Sequence, residues 1–213
     1  ADGDRILATI RATGINQDGR SSGITAPNGA AQEALLRRTL ASAGLKPADV
    51  AYVEAHGTGT SLGDPIEVRA LAAVYGDRPK DQPLLVGSVK TNFGHLEAAA
   101  GVAGFIKAVL TLQSGMIPPH LHLRRKNPHI DWERMPIEVP TSLTELPKLA
   151  DQPRRAAVSS FGFSGTNAHV ILEEAPQHII DSSTPDRSSH VLPLSARTPA
   201  SLRVMAEQYA TLL

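Results

Sequence analysis

The stretch VAYVEAHGTGTSLGDPIEVRALAAVY, residues 50–75, decides the fold class. Val50 to Ala55 is a short apolar run bounded by turn residues, which predicts a strand. His56-Gly57-Thr58-Gly59-Thr60 then breaks the chain with glycine. Asp64-Pro65 predicts a helix start, with aspartate as N-cap and proline at the first helical position, and the helix runs to Tyr75. Strand, small-residue loop and helix in that order form one half of a parallel α/β unit. Residues 84–113, LLVGSVKTNFGHLEAAAGVAGFIKAVLTLQ, repeat the plan: Leu84 to Val89 as a buried strand, Lys90 to His95 as a loop, Leu96 to Gln113 as an alanine-rich helix. Gly101 and Gly104 within that helix predict close packing against a neighbour.

Working outward, Ile6 to Ile15 reads as a strand, Asn16 to Asn28 as a turn-rich loop, and Gln32 to Ala43 as a helix stopped by Gly44. Residues 115–154 are proline-rich and irregular. Ala156 to Phe163 and His169 to Glu173 read as two last strands joined through Gly162, Gly165 and Asn167. The expected architecture is a layered α/β fold, with a mixed, mostly parallel sheet ending in an antiparallel hairpin. Pro176 to Ser189 is polar and reads as a linker. Val191 to Leu194 reads as a short strand, and Thr198-Pro199 opens a final helix.

Composition narrows the function. The 213 residues include 21 basic and 21 acidic side chains, so no net field draws nucleic acid or an anionic membrane. Aromatics are only 4%, too few for base-stacking platforms. Neither a transmembrane run nor a signal peptide is visible, and a cytoplasmic location is expected. The chain has no cysteine, which excludes disulfides, thiolate metal sites and a cysteine nucleophile supplied by these residues.

In α/β layers the site forms on loops beyond the carboxyl ends of strands. Three such loops are polar and glycine-rich: one with His56, Thr58 and Thr60, one with Lys90, Asn92 and His95, and one over Phe161 to Asn167. Two histidines, each just past a strand, can converge on one pocket, where imidazole donates a hydrogen bond or exchanges a proton near neutral pH. Elsewhere, His120, His122 and His129 have the spacing of a metal trio, but no metal site is assigned to them. His169 reads as structural, and His178 and His190 fall in the linker.

The segments VEAHGTGTSLGDPIEVRAL (53–71), VGSVKTNFGHLEAAAGVAGFIKAVL (86–110) and SSFGFSGTNAHVILEEAP (159–176) resemble the C-terminal signatures of type I modular polyketide-synthase ketosynthases. GINQDGRSSGITAPNGAAQ (14–32) resembles the segment that precedes them in that family, and LPLSARTPASLRVMAEQYATLL (192–213) resembles the opening of the ketosynthase–acyltransferase linker. The resemblance implies the C-terminal half of a thiolase-like fold over residues 1–176, with linker and the start of a linker domain over 177–213.

It also implies decarboxylative Claisen condensation of an acyl thioester with a malonyl or methylmalonyl unit. No cofactor would be bound directly; substrates would ride on the phosphopantetheine of an acyl carrier protein. His56 and His95 match the two family histidines that face the developing enolate, and Lys90 matches a lysine that holds the hydrogen-bond network. Thr58 and Thr60 match the positions that bind the phosphopantetheine arm. Phe163 matches the phenylalanine that gates the acyl pocket, its backbone N–H completing the oxyanion hole. Implied partners are the N-terminal half of the ketosynthase, the carrier protein and an adjacent acyltransferase, in a homodimeric parent. The nucleophilic cysteine of the family lies upstream of these residues, so the expectation is a segment inactive alone. A parent with glutamine at that position would decarboxylate without condensing. The alternatives are a non-catalytic structural or carrier-docking segment, and a fatty-acid-synthase or thiolase relative. A half-fold should also expose an apolar face.

Overall fold

The computed structural model describes residues 5–21, 23, 26–79, 81–149, 152–176 and 191–212. The chain divides into two compact units, Ala1–Gln177 and His178–Leu213. Of the expected linker Pro176 to Ser189, all but Pro176 lies outside the described residues, as does His190.

The first unit is built on a six-stranded mixed sheet. Its strands are β1 (Ala8–Gln17), β2 (Tyr52–Glu54), β3 (Leu84–Gly87), β5 (Ile137–Glu138), β7 (Arg155–Phe161) and β8 (Thr166–Glu174), in the order β1-β8-β7-β2-β3-β5. β2 pairs in parallel with both β3 and β7, and β3 with β5. The hairpin partners β7 and β8 run antiparallel, as do β8 and β1. Two short strands, β4 (Met116–Ile117) and β6 (Thr144–Glu145), pair separately. With β5 they bring local order to the proline-rich stretch expected to be irregular.

Helices cover both faces, because β2 and β3 are buried throughout and must be dry on each side. α1 (Gly29–Ala43) and α2 (Gly63–Tyr75) pack on one face, where Leu36, Leu40, Val68 and Leu71 meet Val53 and Val86. α4 (Ala100–Ser114) packs on the other, with Ala108 and Leu112 against Tyr52 and Leu85. Between them, Lys90–Phe93 forms a single helical turn, α3, where the sequence predicts a loop, and Glu97–Ala99 is a 3-10 turn ahead of α4. His169 is fully buried on β8. Its Nε2 lies 2.8 Å from the Tyr75 hydroxyl and its Nδ1 3.0 Å from Ser159 Oγ. That satisfied pairing is what a structural histidine requires.

α4 carries a second apolar stripe. Val102, Ile106 and Leu110, four residues apart, are 62%, 53% and 57% exposed on the side away from the sheet. This is the apolar face expected of a half-fold.

In the second unit, α5 (Pro199–Leu212) begins where Thr198-Pro199 predicts, and Thr198 Oγ1 accepts the Ser201 N–H at 3.2 Å. Val191 to Leu194 does not form the expected strand. A strand needs a partner ladder, and no strand of this unit is present among the described residues.

Gly14 sets how closely α1 lies on β1. A Cβ there would stand 2.2 Å from Thr39 Oγ1 and 2.9 Å from Leu35 Cδ1. Replacing Gly14 with valine is expected to cost about 1–3 kcal/mol of stability by overpacking. Urea unfolding reads this directly, and a loss below about 0.5 kcal/mol, the size of a neutral surface change, would contradict it.

Candidate active site

Because β2, β3 and β7 run parallel, their carboxyl ends open at one edge of the sheet. The loops carrying His56, Lys90–His95 and Phe161–Gly165 therefore emerge side by side. β1 runs the same way, so its following loop joins them. Together they enclose a cleft of about 750 Å3. Of the six expected site residues, His56, Thr58, Thr60, His95 and Phe163 line this cleft, and Lys90 does not.

The two imidazoles meet edge to face, with ring centroids 5.6 Å apart and planes at 81°. Close approach of their loops makes this possible. Gly57 has φ +45°, and a Cβ on it would lie 2.9 Å from Ser88 Cβ, so a side chain would wedge the loops apart. Phe161 closes the other side of His56 at 5.6 Å. Burial, with Lys90 and His95 adding to it, lowers the His56 pKa to about 4, so its ring is neutral near pH 7. Its Nδ1 is buried and has no hydrogen-bond partner among the described residues. His95 Nδ1 accepts the Glu97 N–H at 2.9 Å. The neutral ring consequently carries its proton on Nε2, which is left as a donor.

Glu67, on the inner face of α2, holds the first histidine loop. Its two carboxylate oxygens accept the N–H groups of His56 at 2.8 Å and Gly57 at 2.9 Å. Burial raises its pKa to about 7, against the lowering effect of those two donors. Sequence reasoning passed over Glu67, although a glutamate between Ile66 and Val68 on a core-facing turn was the available signal. Gln17, Asp18, Ser21, Pro27 and Gln32 also line the cleft without having been singled out by the sequence.

Asp64 is not the helix cap. α2 starts two residues earlier, with Gly63 as its first residue and Leu62 as N-cap; Thr60 Oγ1 accepts the Gly63 N–H at 3.0 Å, and Asp64 Oδ1 takes the Gly59 N–H at 3.0 Å. Thr60 thus holds the first amide of the helix while facing the cleft, with its hydroxyl 3.4 Å from that of Thr58. Lys90 is half-buried behind the histidines. Burial lowers its pKa, and the charges of Glu67 and Glu54 oppose that shift. Phe163 stands at the rim of the cleft, 81% exposed, on a turn closed by hydrogen bonds from Gly162 to Thr166 and from Gly165 to Gly162. The proline-rich histidines do not converge: His122 and His129 are exposed, and no group of three or more metal-ligand side chains occurs among the described residues.

The profile of the β-ketoacyl synthase C-terminal domain matches residues 7–124. The chain belongs to the β-ketoacyl synthase family. A ketoacyl-synthetase C-terminal extension matches residues 127–213. One phenolphthiocerol/phthiocerol polyketide synthase of Mycobacterium tuberculosis is 59% identical over 177 residues, 83% of this chain and 9% of that protein. Polyketide synthase GfsE of Streptomyces halstedii is 51% identical over 210 residues, 96% of this chain and 6% of that protein. The ketosynthase from module 6 of the bacillaene synthase of Bacillus subtilis 168 superposes with a TM-score of 0.83 at 40% identity, covering 99% of this chain and 36% of that one. The fold is therefore the C-terminal part of a thiolase-like ketosynthase of the polyketide-synthase type. The chain spans under a tenth of these two polyketide synthases and little more than a third of that ketosynthase.

Glu67 makes a prediction with a definite sign. Its folded pKa of about 7 lies above the unfolded value of 4.5. Its stabilising contribution is therefore whole below pH 4.5 and is lost as pH rises to 7, at about 1.4 kcal/mol per pH unit. Glu67→Gln should remove that slope, so the variant gains on the parent between pH 5 and pH 7 in urea unfolding. Parallel stability curves for the two proteins would show that Glu67 does not titrate in this range.

Proposed function

We propose that this chain supplies the histidine side of a condensing site that joins an acyl thioester to a malonyl-type unit. The observation that carries the reading is the pair of imidazoles at the head of the cleft. His56 is held neutral, and His95 offers an Nε2 donor, 5.6 Å away centre to centre.

Decarboxylation of a malonyl thioester breaks the bond to the carboxylate. The electron pair moves into an enolate on the thioester oxygen. Preorganised neutral donors stabilise that charge without creating a competing ion pair. The enolate carbon then attacks the acyl thioester on a cysteine, forming the carbon–carbon bond of a β-ketoacyl thioester and releasing the thiolate. These residues contain no cysteine, so that nucleophile belongs to another part of the ketosynthase.

In the same reading, Lys90 sustains the polar network from behind, and Thr58 and Thr60 receive the phosphopantetheine arm of a carrier protein. Phe163 gates the acyl pocket from the rim, with its N–H serving the oxyanion hole. Residues 1–176 are the ketosynthase part, and 177–213 open the linker toward an acyltransferase. The exposed stripe of Val102, Ile106 and Leu110 supports packing against the N-terminal half; in this reading the parent is a cytoplasmic homodimer. The isolated segment is inactive.

The test joins this chain to a separately produced N-terminal half bearing the cysteine and follows carbon dioxide release from a malonyl-carrier thioester. Release is expected only with both halves, and His56→Ala or His95→Ala should each lower it by about 10²–10³. A stable complex of the two halves that releases nothing would leave a structural or docking role in its place. Ile106→Asp should weaken association of the halves without lowering the stability of the isolated chain, because Ile106 is exposed in it. Unchanged association would remove α4 from the interface.

A further inference from the structure

A second polar cluster lies behind the histidines, between the sheet and α4, and takes no part in lining the cleft. Lys107 Nζ, on the inner face of α4, stands 2.9 Å from Glu54 Oε2, with the two side chains 11% and 1% exposed. The Tyr52 hydroxyl donates to the same oxygen at 2.6 Å, and Lys107 Nζ sits 5.8 Å from the Tyr52 ring centre. The other carboxylate oxygen, Oε1, accepts the N–H of Val89. Val89 immediately precedes α3, whose first residue is Lys90.

The surroundings are shaped for this pair. A Cβ on Gly104 would stand 3.1 Å from Glu54 Cγ, and one on Gly87 would stand 2.6 Å from the Tyr52 hydroxyl and 3.3 Å from Lys107 Nζ. Both glycines leave room for the ion pair where a side chain would displace it. A carboxylate this deep stays ionised only with a cation and donors against it. The groups facing it are Lys107 from α4, Tyr52 from β2 and the Val89 N–H; Lys90 and His120 also lie within electrostatic reach.

We propose that Lys107 is a positioning residue for the Lys90–His95 segment, acting through Glu54 on the Val89 N–H. The ammonium fixes the rotamer and charge of Glu54. Glu54 in turn fixes where α3 begins, and α3 sets the path of the chain to His95. The catalytic consequence rests on the condensing reading of the site; the structural linkage does not.

The experiment uses the intact ketosynthase that carries this chain, with Lys107→Met and the double variant Glu54→Gln/Lys107→Met. Hydrogen exchange by mass spectrometry on peptides covering 84–95 reads the linkage. Lys107→Met is expected to speed exchange there by about tenfold while peptides from β7 and β8 keep the parent rate. Decarboxylation kcat should fall by up to about 10²-fold, as for a misplaced catalytic segment, with KM for the malonyl-carrier thioester held. The double variant removes both charges but keeps an amide oxygen for Val89, so exchange and kcat should both return toward the parent. Unchanged exchange at 84–95, or exchange that rises equally in every peptide, overturns the proposal. So does a folded double variant that remains as slow as the single one. If the parent itself releases no carbon dioxide, the condensing reading fails, and the exchange comparison still decides the role of Lys107.

Discussion

Tyr52, Val53 and Glu54 pair in parallel with Leu85, Val86 and Gly87, and the ladder continues one step further through Ala55 N–H to Gly87 O at 2.8 Å. That short register governs everything at the open edge of the sheet. It sends the chain out of β2 at His56 and out of β3 at Ser88 from neighbouring points. The two loops touch where Ser88 Oγ reaches Gly57 O at 3.4 Å. A slip of one residue would turn Glu54 and Tyr52 to the wrong face and separate the imidazoles. β7 pairs with the other side of β2 and delivers Phe161 to the same place, so one central strand sets three loops.

Two buried carboxylates then convert that register into fixed loops. Glu54 reaches forward from β2 to the amide of Val89, and Glu67 reaches back from α2 to the amides of His56 and Gly57. Backbone amides are sound anchors for such groups, because a hydrogen bond to a charged acceptor is worth more than one to a neutral acceptor and leaves no orphan donor. The two differ in how they are neutralised. Glu54 has Lys107 in direct contact, whereas Glu67 has no ion-pair partner within 4.0 Å among the described residues, and burial raises its pKa to about 7. Lys90 stands in the field of both. His56, held neutral by burial, faces the cleft with Lys90 outside its lining.

Much of the fold was legible because period and punctuation agreed. Strands flanked by glycine loops and followed by apolar helices leave few alternatives to a parallel α/β layer, and the final hairpin follows from Gly162 and Gly165. The misses have physical causes. Asp64-Pro65 has the composition of a helix start, but the helix begins two residues earlier at Gly63, and Asp64 turns back to hold the glycine loop through the Gly59 N–H. Lys90–Phe93 looked like a loop because four residues are too few to show a period. Val191 to Leu194 has strand composition without a partner. At the site, histidines and threonines were visible as loop residues. Glu67, Gln32 and Glu54 were hidden within elements, where a polar residue among apolar ones reads as a surface position unless its burial is known.

The unpartnered stripe on α4 completes this logic. The same helix offers Gly101, Gly104, Lys107, Ala108 and Thr111 toward the sheet, and Val102, Ile106 and Leu110 away from it. It therefore has the surface of a central helix rather than an outer one. An outer helix would place charged side chains on that second face, and α4 carries only Lys107, which points inward to Glu54. Burying three large aliphatic side chains against a partner would return roughly 1.5–3 kcal/mol for each. Lys107 would then lie between two apolar layers, where the Glu54–Lys107 pair would be shielded from water on every side and its hold on Val89 would strengthen with the falling local dielectric. The apolar face and the buried ion pair are thus two sides of one helix.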